Sequence, residues 1–126
     1  MSHIGRCFCG AVEIEANNDA LLGAYPKATK TPSATDGYVG FAGGYGNTVS
    51  KLRLSGQEYG DDARLTPGRH WVQLSRREGE VWLLLDGKPV AWASDPNPRV
   101  ALDRFAVIGG YGGHQIVHSI RYRLYE

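Results

Sequence analysis

Two glycine-rich segments carry the side chains best suited to holding a ligand. The segments GGYGN and GGYGGH each place a tyrosine and a polar neighbour among glycines: Tyr45 with Asn47, and Tyr111 with His114. Glycines allow tight turns that expose a ring, and such loops often carry function. Sugars are held by aromatic rings against their apolar faces and by polar groups that bond hydroxyls. The four residues therefore predict a glycan-binding site, unless the tyrosines only cover one end of the fold.

Three tryptophans, Trp71, Trp82 and Trp92, offer further rings. Because tryptophan is highly buried on average, core packing is the first expectation for all three. Trp92 is also a candidate ligand-binding residue. A two-residue Asp-Gly loop after Leu85 would set Trp82 opposite Ala91 and leave Trp92 as a diagonal or opposite-face neighbour.

Cys7 and Cys9, the two cysteines of the chain, are weak candidates for metal ligands. In C-x-C they share one side of an extended strand, where they cannot easily close a disulfide. They are either reduced or part of a zinc site. Because a structural zinc takes four N or S ligands, only histidines could complete such a site, so a reduced pair is favoured over zinc.

Catalysis has little support in the sequence. Retaining glycoside hydrolysis needs two carboxylates ~5–5.5 Å apart, whereas Glu78 and Glu80 fall at a hairpin turn. A cysteine nucleophile would need a base and an orienting acid that no local motif supplies. The sequence leans against an enzyme and predicts no cofactor. Calcium remains open through four aspartates without the spacing of a calcium loop: Asp36, Asp61, Asp62 and Asp95.

The segment from Leu65 to Ser94 predicts how the chain is built. It reads as three antiparallel strands, HWVQLSRR, EVWLLLD and KPVAWAS, joined by turns at Glu-Gly and Asp-Gly. The middle strand is apolar on both faces, which predicts an interior position. Pro89 cannot donate to a ladder, so the third strand starts late or lies at an edge.

About nine strands and no helical period predict an all-β chain, a single antiparallel β-sandwich domain over residues 1–126. In TVSKLRLSG, Leu52 and Leu54 are expected to point inward. Gln57 to Asp62 is expected to be polar turn. In the closing segment IVHSIRYRLYE, His118 alternates with isoleucines and is expected to be a core histidine.

Composition excludes several partners. The net charge is +1, with acidic and basic residues interspersed, so neither nucleic acid nor a membrane surface is expected. No apolar run approaches the ~20 residues that span a bilayer. The first residues, MSHI, do not resemble a signal peptide.

The order TPGRHWVQLSRREGEVWLLLDGKPVAWASD, RFAVIGGYGG and HSIRYRLYE resembles the C-terminal half of concanavalin A-like lectin/glucanase (LamG-like) jelly-roll domains. GYVGFAGGYGNTVSKLRL is similar to a stretch of bacterial members. The resemblance covers roughly residues 11–126 and implies a carbohydrate-binding or surface-recognition module that acts outside the cell or at its surface. Its partner would be a glycan or a cell-surface polysaccharide.

Two features qualify the resemblance. Residues 1–16 alone resemble the start of the glutathione-dependent formaldehyde-activating enzymes, whose further zinc cysteines this chain lacks. Family members also carry strands before the one predicted at Val12 to Ala16, so the expectation is either that N-terminal strands are missing from the sandwich or that a partner chain supplies that edge. A truncated or divergent glycan-active enzyme, similar to a glycoside hydrolase or lyase, and a self-assembling structural protein remain as alternatives.

Overall fold

A computed structural model describes residues 7–16, 20–25, 37–54, 57–77, 79–95, 104–108 and 115–125. These ranges hold ten strands and one helical turn, in the order β1 (Cys7–Ala16), β2 (Ala20–Tyr25), β3 (Tyr38–Gly43), α1 (Gly44–Asn47), β4 (Val49–Leu54), β5 (Gln57–Asp61), β6 (Arg69–Arg77), β7 (Glu80–Leu85), β8 (Lys88–Ser94), β9 (Arg104–Ile108) and β10 (Gln115–Tyr125). Every strand pair is antiparallel. The all-β prediction is confirmed.

The strands form two five-stranded sheets. The first sheet has the order β10-β1-β6-β7-β8, and the second has the order β5-β4-β3-β2-β9. Each sheet turns one face toward the other, and the two inner faces make the core. The predicted β-sandwich is therefore confirmed, as are the inward positions of Leu52 and Leu54. No helix in the described ranges is long and apolar enough to cross a membrane.

The predicted three-strand meander is also confirmed. β7 is interior, between β6 and β8, and β8, which carries Pro89, lies at the sheet edge. Asp86 and Gly87 both have positive φ, 52° and 81°, as the two-residue hairpin turn requires. An aspartate tolerates this backbone better than most side chains do.

Asp86 also fixes the start of β6. Its Oδ1 accepts the backbone N–H of Trp71 at 2.9 Å, and its Oδ2 lies 2.5 Å from Nδ1 of the buried His70. The other imidazole nitrogen of His70 lies 2.7 Å from the carbonyl oxygen of Thr66. Burial lowers the pKa of His70, but the hydrogen bonds to Asp86 and Thr66 outweigh it and leave that pKa raised.

One register expectation is wrong. The pairing of β7 with β8 shifts between Leu83 and Leu84, so Trp82 lies opposite Trp92 rather than opposite Ala91. The extra residue of a bulge moves every later side chain of its strand by one position. Partners across an antiparallel pair share a face, so the bulge makes the two indoles direct neighbours.

A second bulge overturns the expectation for His118. The pairing of β1 with β10 shifts between Glu13 and Ile14, whose partners are Ser119 and Val117. His118 is the extra residue, and its ring lies at the surface with Nε2 2.8 Å from Oε1 of Glu15. It is not a core histidine. An alternating pattern cannot reveal a bulge, because it assumes unbroken pairing.

Two further expectations change. Gln57 to Asp61 is not a turn but the edge strand β5, paired with β4. β1 has a neighbour on each side, β10 and β6, so the predicted open edge beside this strand is occupied by β10 of the same chain.

A buried arginine connects the sheets at one end of the core. Arg76 on β6 is 1% exposed, and its Nη1 donates to the Tyr38 hydroxyl of β3 at 2.9 Å. That hydroxyl donates to Oδ2 of Asp95 at 2.6 Å. The guanidinium also lies 5.7 Å from the ring centre of Phe8 and 5.4 Å from that of Tyr38. Burial, followed by the bond to Asp95, raises the pKa of Tyr38 to about 12.

We expect Arg76→Ala to lower the free energy of unfolding by about 3–5 kcal/mol, because removing one member leaves the rest of a buried polar network unpaired. Tyr38→Phe, which removes only a hydroxyl, should lower it by about 1–3 kcal/mol. Urea unfolding measures both. Arg77→Ala, one residue along and exposed, is the control. Equal losses in Arg76→Ala and Arg77→Ala would contradict the role assigned to this network.

We expect His70 to make stability depend on pH. Its folded-state pKa is raised, so its contribution is complete below the ordinary histidine pKa of about 6.5 and is lost as pH rises through the folded-state value. The unfolding free energy of the wild type, minus that of His70→Gln, should therefore fall between pH 5.5 and pH 8.5. Asp86→Asn keeps a residue that tolerates the turn and should abolish most of this difference. A difference that rises with pH would refute the assignment.

Candidate functional site

A left-handed turn places Tyr45 at the surface. Four residues from Gly43 to Asn47 have positive φ: Gly43 at 67°, Tyr45 at 52°, Gly46 at 72° and Asn47 at 63°. The backbone N–H of Thr48 donates to the carbonyl of Gly44 at 2.9 Å and closes the turn. Two of these four positions are glycines because L side chains rarely adopt such a backbone.

Tyr45 stands over the outer face of the second sheet. Its ring meets Phe41 edge-on, with centroids 5.6 Å apart and planes at 85°. Phe41 is buried beneath it, whereas Tyr45 is 56% exposed. The Tyr45 hydroxyl donates to the Glu58 carboxylate, whose oxygens lie at 2.8 and 2.9 Å. A large aromatic ring is therefore held in place but open to solvent.

Arg53 completes the cluster. Its Nε donates to Oε2 of Glu58 at 2.6 Å, its Nη2 lies 3.4 Å from the Tyr45 hydroxyl, and its guanidinium lies 5.0 Å from the ring centre of Phe41. The bond to Glu58 raises the pKa of Arg53. Partial burial raises the pKa of Glu58, but the bonds from Arg53 and Tyr45 outweigh it and lower that pKa. Both groups are ionised at neutral pH.

The three solvent-facing side chains Tyr45, Arg53 and Glu58 are called the Tyr45 surface below. The geometry offers an exposed ring, a carboxylate that accepts hydrogen bonds, and a guanidinium with five donors of which these bonds use two. Groups of these kinds are used in sugar-binding sites of proteins, where a ring contacts the apolar face of the sugar and planar charged groups bond its hydroxyls.

Asn47 does not face the Tyr45 surface. Its Nδ2 donates to the carbonyl of Leu65 at 2.9 Å, and its Oδ1 accepts the N–H of Leu65 at 2.8 Å. Asn47 therefore connects the turn to the segment before β6. It also borders a cleft of about 510 Å³ lined in part by Glu15, Thr66 and Ile116. Tyr111 and His114 lie outside the described residues.

Trp92 lies on the other sheet, apart from Tyr45. Trp71, Trp82 and Trp92 all face outward from the first sheet, so the expectation of core packing is wrong for them. The indole of Trp92 is 49% exposed and donates through Nε1 to Oε2 of Glu80 at 2.6 Å. Of the predicted ligand residues, Tyr45 and Trp92 thus lie on two different surfaces, and Asn47 faces neither of them.

Cys9 is a free thiol on the outer face of the first sheet. Its Sγ lies 3.2 Å from Nε2 of Gln73 and 3.5 Å from Oγ of Ser75. The side chain of Cys7 lies outside the described part of the chain, as does Asp36. Asp95 is bonded to Tyr38. Across the described ranges no three His, Cys, Asp or Glu side chains are grouped to hold a metal.

Sequence reasoning missed two partners of Tyr45. Arg53 alternates with the inward leucines of β4, which predicts an outward position but no partner, and Glu58 lies in a segment predicted to be a turn. The segment QEYGD has one large apolar residue, so it shows no alternation that would reveal a strand. Its pairing with β4 alone brings Glu58 opposite Arg53.

Comparison with solved structures supports the fold. The chain is similar to sheep galectin-11, solved in complex with glycerol, with a TM-score of 0.63 and 15% sequence identity, covering 97% of this chain and 93% of that one. At this identity the likeness shows the fold alone, a two-sheet jelly-roll sandwich of concanavalin A-like type. No protein-family model matches the sequence, and no curated protein does either.

We expect Tyr45→Ala to lower the free energy of unfolding by at most about 1 kcal/mol, because exposed rings and exposed ion pairs contribute little. Phe41→Ala, directly beneath, should cost about 3–5 kcal/mol because its ring is buried. Urea unfolding of the two variants measures the contrast. A Tyr45→Ala loss as large as that of Phe41→Ala would place Tyr45 among the core residues and remove it from the site.

Proposed function

We propose that this chain is a non-catalytic carbohydrate-binding module that binds glycan at the Tyr45 surface. The observation that carries the proposal is the exposed ring of Tyr45, held by Glu58 and Arg53 on the open face of a sandwich sheet. An aromatic ring fixed in this way loses little conformational entropy when a ligand stacks on it. The likeness to a galectin supports the proposal at the level of the fold.

The polar groups favour a neutral sugar at this surface. Arg53 and Glu58 form an ion pair at 2.6 Å, so their charges cancel and neither attracts a strongly charged ligand. A carboxylate that accepts and a guanidinium that donates together match hydroxyl groups, which do both. The same proposal includes a relationship to LamG-like domains, action outside the cell, and a cell-surface polysaccharide as the partner.

The test is a glycan array followed by calorimetric titration of the best neutral oligosaccharide, with and without calcium. Tyr45→Ala should weaken binding about tenfold or more, because it removes the ring and its bonds to both charged partners. Glu58→Gln keeps the shape but not the charge and should weaken binding by a smaller factor. Calcium should make no difference.

Arg64→Ala is the matched control, since Arg64 is an exposed arginine outside the Tyr45 surface. It should bind as the wild type does, whereas Arg53→Ala should not. A blank array, or binding that survives Tyr45→Ala and Arg53→Ala unchanged, would refute the proposed site.

Self-assembly is a second candidate function, favoured by one observation. On β10, an edge strand of the first sheet, Ile116, Val117 and Ile120 are 58%, 42% and 56% exposed. Exposed apolar edge strands invite pairing with another chain. Light scattering over a range of protein concentrations decides: a constant monomer mass would exclude this candidate.

A further inference from the structure

We infer that the outer face of the first sheet carries a second carbohydrate-binding surface, built on Trp92, Trp82 and Glu80. This surface lies on the opposite side of the sandwich from the Tyr45 surface, so the two can be tested separately. It is called the Trp92 surface below.

The Trp92 surface begins with a paired set of indoles. Trp82 and Trp92 are direct cross-strand partners, and their ring centroids lie 5.8 Å apart with planes at 46°. The bulge in the β7–β8 pairing creates this arrangement, because an unbroken register would set Trp82 opposite Ala91. Trp92 is 49% exposed although indoles are among the most buried side chains. Trp92 is thus a large apolar ring left open to solvent beside a second, half-buried indole, and exposed apolar surface of this kind is where partners bind.

Glu80 holds Trp92 in one orientation. The indole N–H donates to Oε2 of Glu80 at 2.6 Å, and the Ser94 hydroxyl lies 3.4 Å from both oxygens of the same carboxylate. The only polar atom of the indole is thereby bonded within the protein, so the exposed remainder of the ring is apolar. A carboxylate can accept about four hydrogen bonds, so Glu80 retains capacity for a ligand.

A cleft adjoins the ring. Trp92 lines a shallow cleft of about 340 Å³ at the sandwich edge, between β5 and β8, together with five other residues: Gly60, Asp61, Pro89, Val90 and Ala91. Its size is within the range of small-ligand sites, about 300–1,000 Å³. Asp61, which is exposed, adds a second carboxylate to the lining of this cleft.

These groups match a neutral sugar better than the other small ligands that aromatic sites take. Two carboxylates, Glu80 and Asp61, accept hydroxyl donors and repel an acidic sugar. A quaternary ammonium ion is bound best when several rings surround it. Here the two rings lie side by side on one open sheet face, which suits stacking of a flat pyranose face instead.

The test uses the full chain with Tyr45→Ala in every variant, so that any binding measured does not come from the Tyr45 surface. The probes are cellopentaose, mannopentaose and galactotetraose. Their binding is measured by calorimetry and by tryptophan fluorescence. We expect one of them to bind with one site per chain and to shift the indole emission. Adding Trp92→Ala should weaken that binding at least tenfold, and adding Glu80→Gln should weaken it several-fold.

Trp71→Phe is the matched control. Trp71 faces outward from the same sheet, but the Arg121 guanidinium lies 5.0 Å from its ring centre and covers it. Its replacement should leave binding unchanged. Circular dichroism checks that each variant is folded. Trp92→Phe is a milder second variant, which keeps an aromatic ring at this exposed position and should retain part of the affinity.

Three outcomes would overturn the Trp92 surface. No binding in the Tyr45→Ala background, while the wild type binds, would place all recognition at the Tyr45 surface and support only the earlier proposal. Binding that survives Trp92→Ala, or binding of tetramethylammonium or of penta-galacturonate in place of the neutral probes, would refute the assignment. If the single variant Trp92→Ala loses the binding that the wild type shows and the single variant Tyr45→Ala keeps it, the result supports the Trp92 surface and refutes the Tyr45 surface.

Discussion

The buried guanidinium of Arg76 links the two sheets and limits how they can pack against each other. A charge in an apolar core is tolerated only with partners, and Arg76 finds them on both layers: the ring of Phe8 in its own sheet and the hydroxyl of Tyr38 in the other. The bond from Tyr38 to Asp95 continues this network to the chain segment that follows β8. The sheets can therefore pack at one relative position without leaving a buried charge unpaired.

Apolar packing alone would not select that position so strictly. The remaining core consists of leucine, valine, isoleucine and alanine side chains, and such cores tolerate exchange of similar volumes. Close contacts add some specificity, as at Gly10, where a Cβ would overlap the ring of Phe105. The polar network also restricts the relative orientation of the sheets, because hydrogen bonds form only over a narrow range of angles.

Because the core is formed by the inner faces of the sheets, both outer faces can present side chains to a ligand. Local irregularities of the backbone decide which side chains lie together on those faces. The left-handed turn after β3 aims Tyr45 at Arg53 and Glu58. The bulge in β7–β8 pairs Trp82 with Trp92. In each case a departure from regular strand geometry brings side chains together that uniform alternation would keep apart, as bulges often do beside functional sites.

Local sequence patterns predict the fold class, the central meander with its Asp-Gly hairpin, and the inward face of β4, because turn chemistry and period-two alternation are local properties. They also identify Tyr45 and Trp92 as candidates, from glycine context and ring chemistry. Contacts between distant segments set the rest: Tyr45 and Trp92 lie over the outer faces of different sheets, Glu58 belongs to a strand, Asn47 bonds Leu65, and His118 lies at the surface. Each of these depends on pairing between distant segments, and a one-residue bulge, which leaves no trace in the local pattern, reverses the face of every residue beyond it.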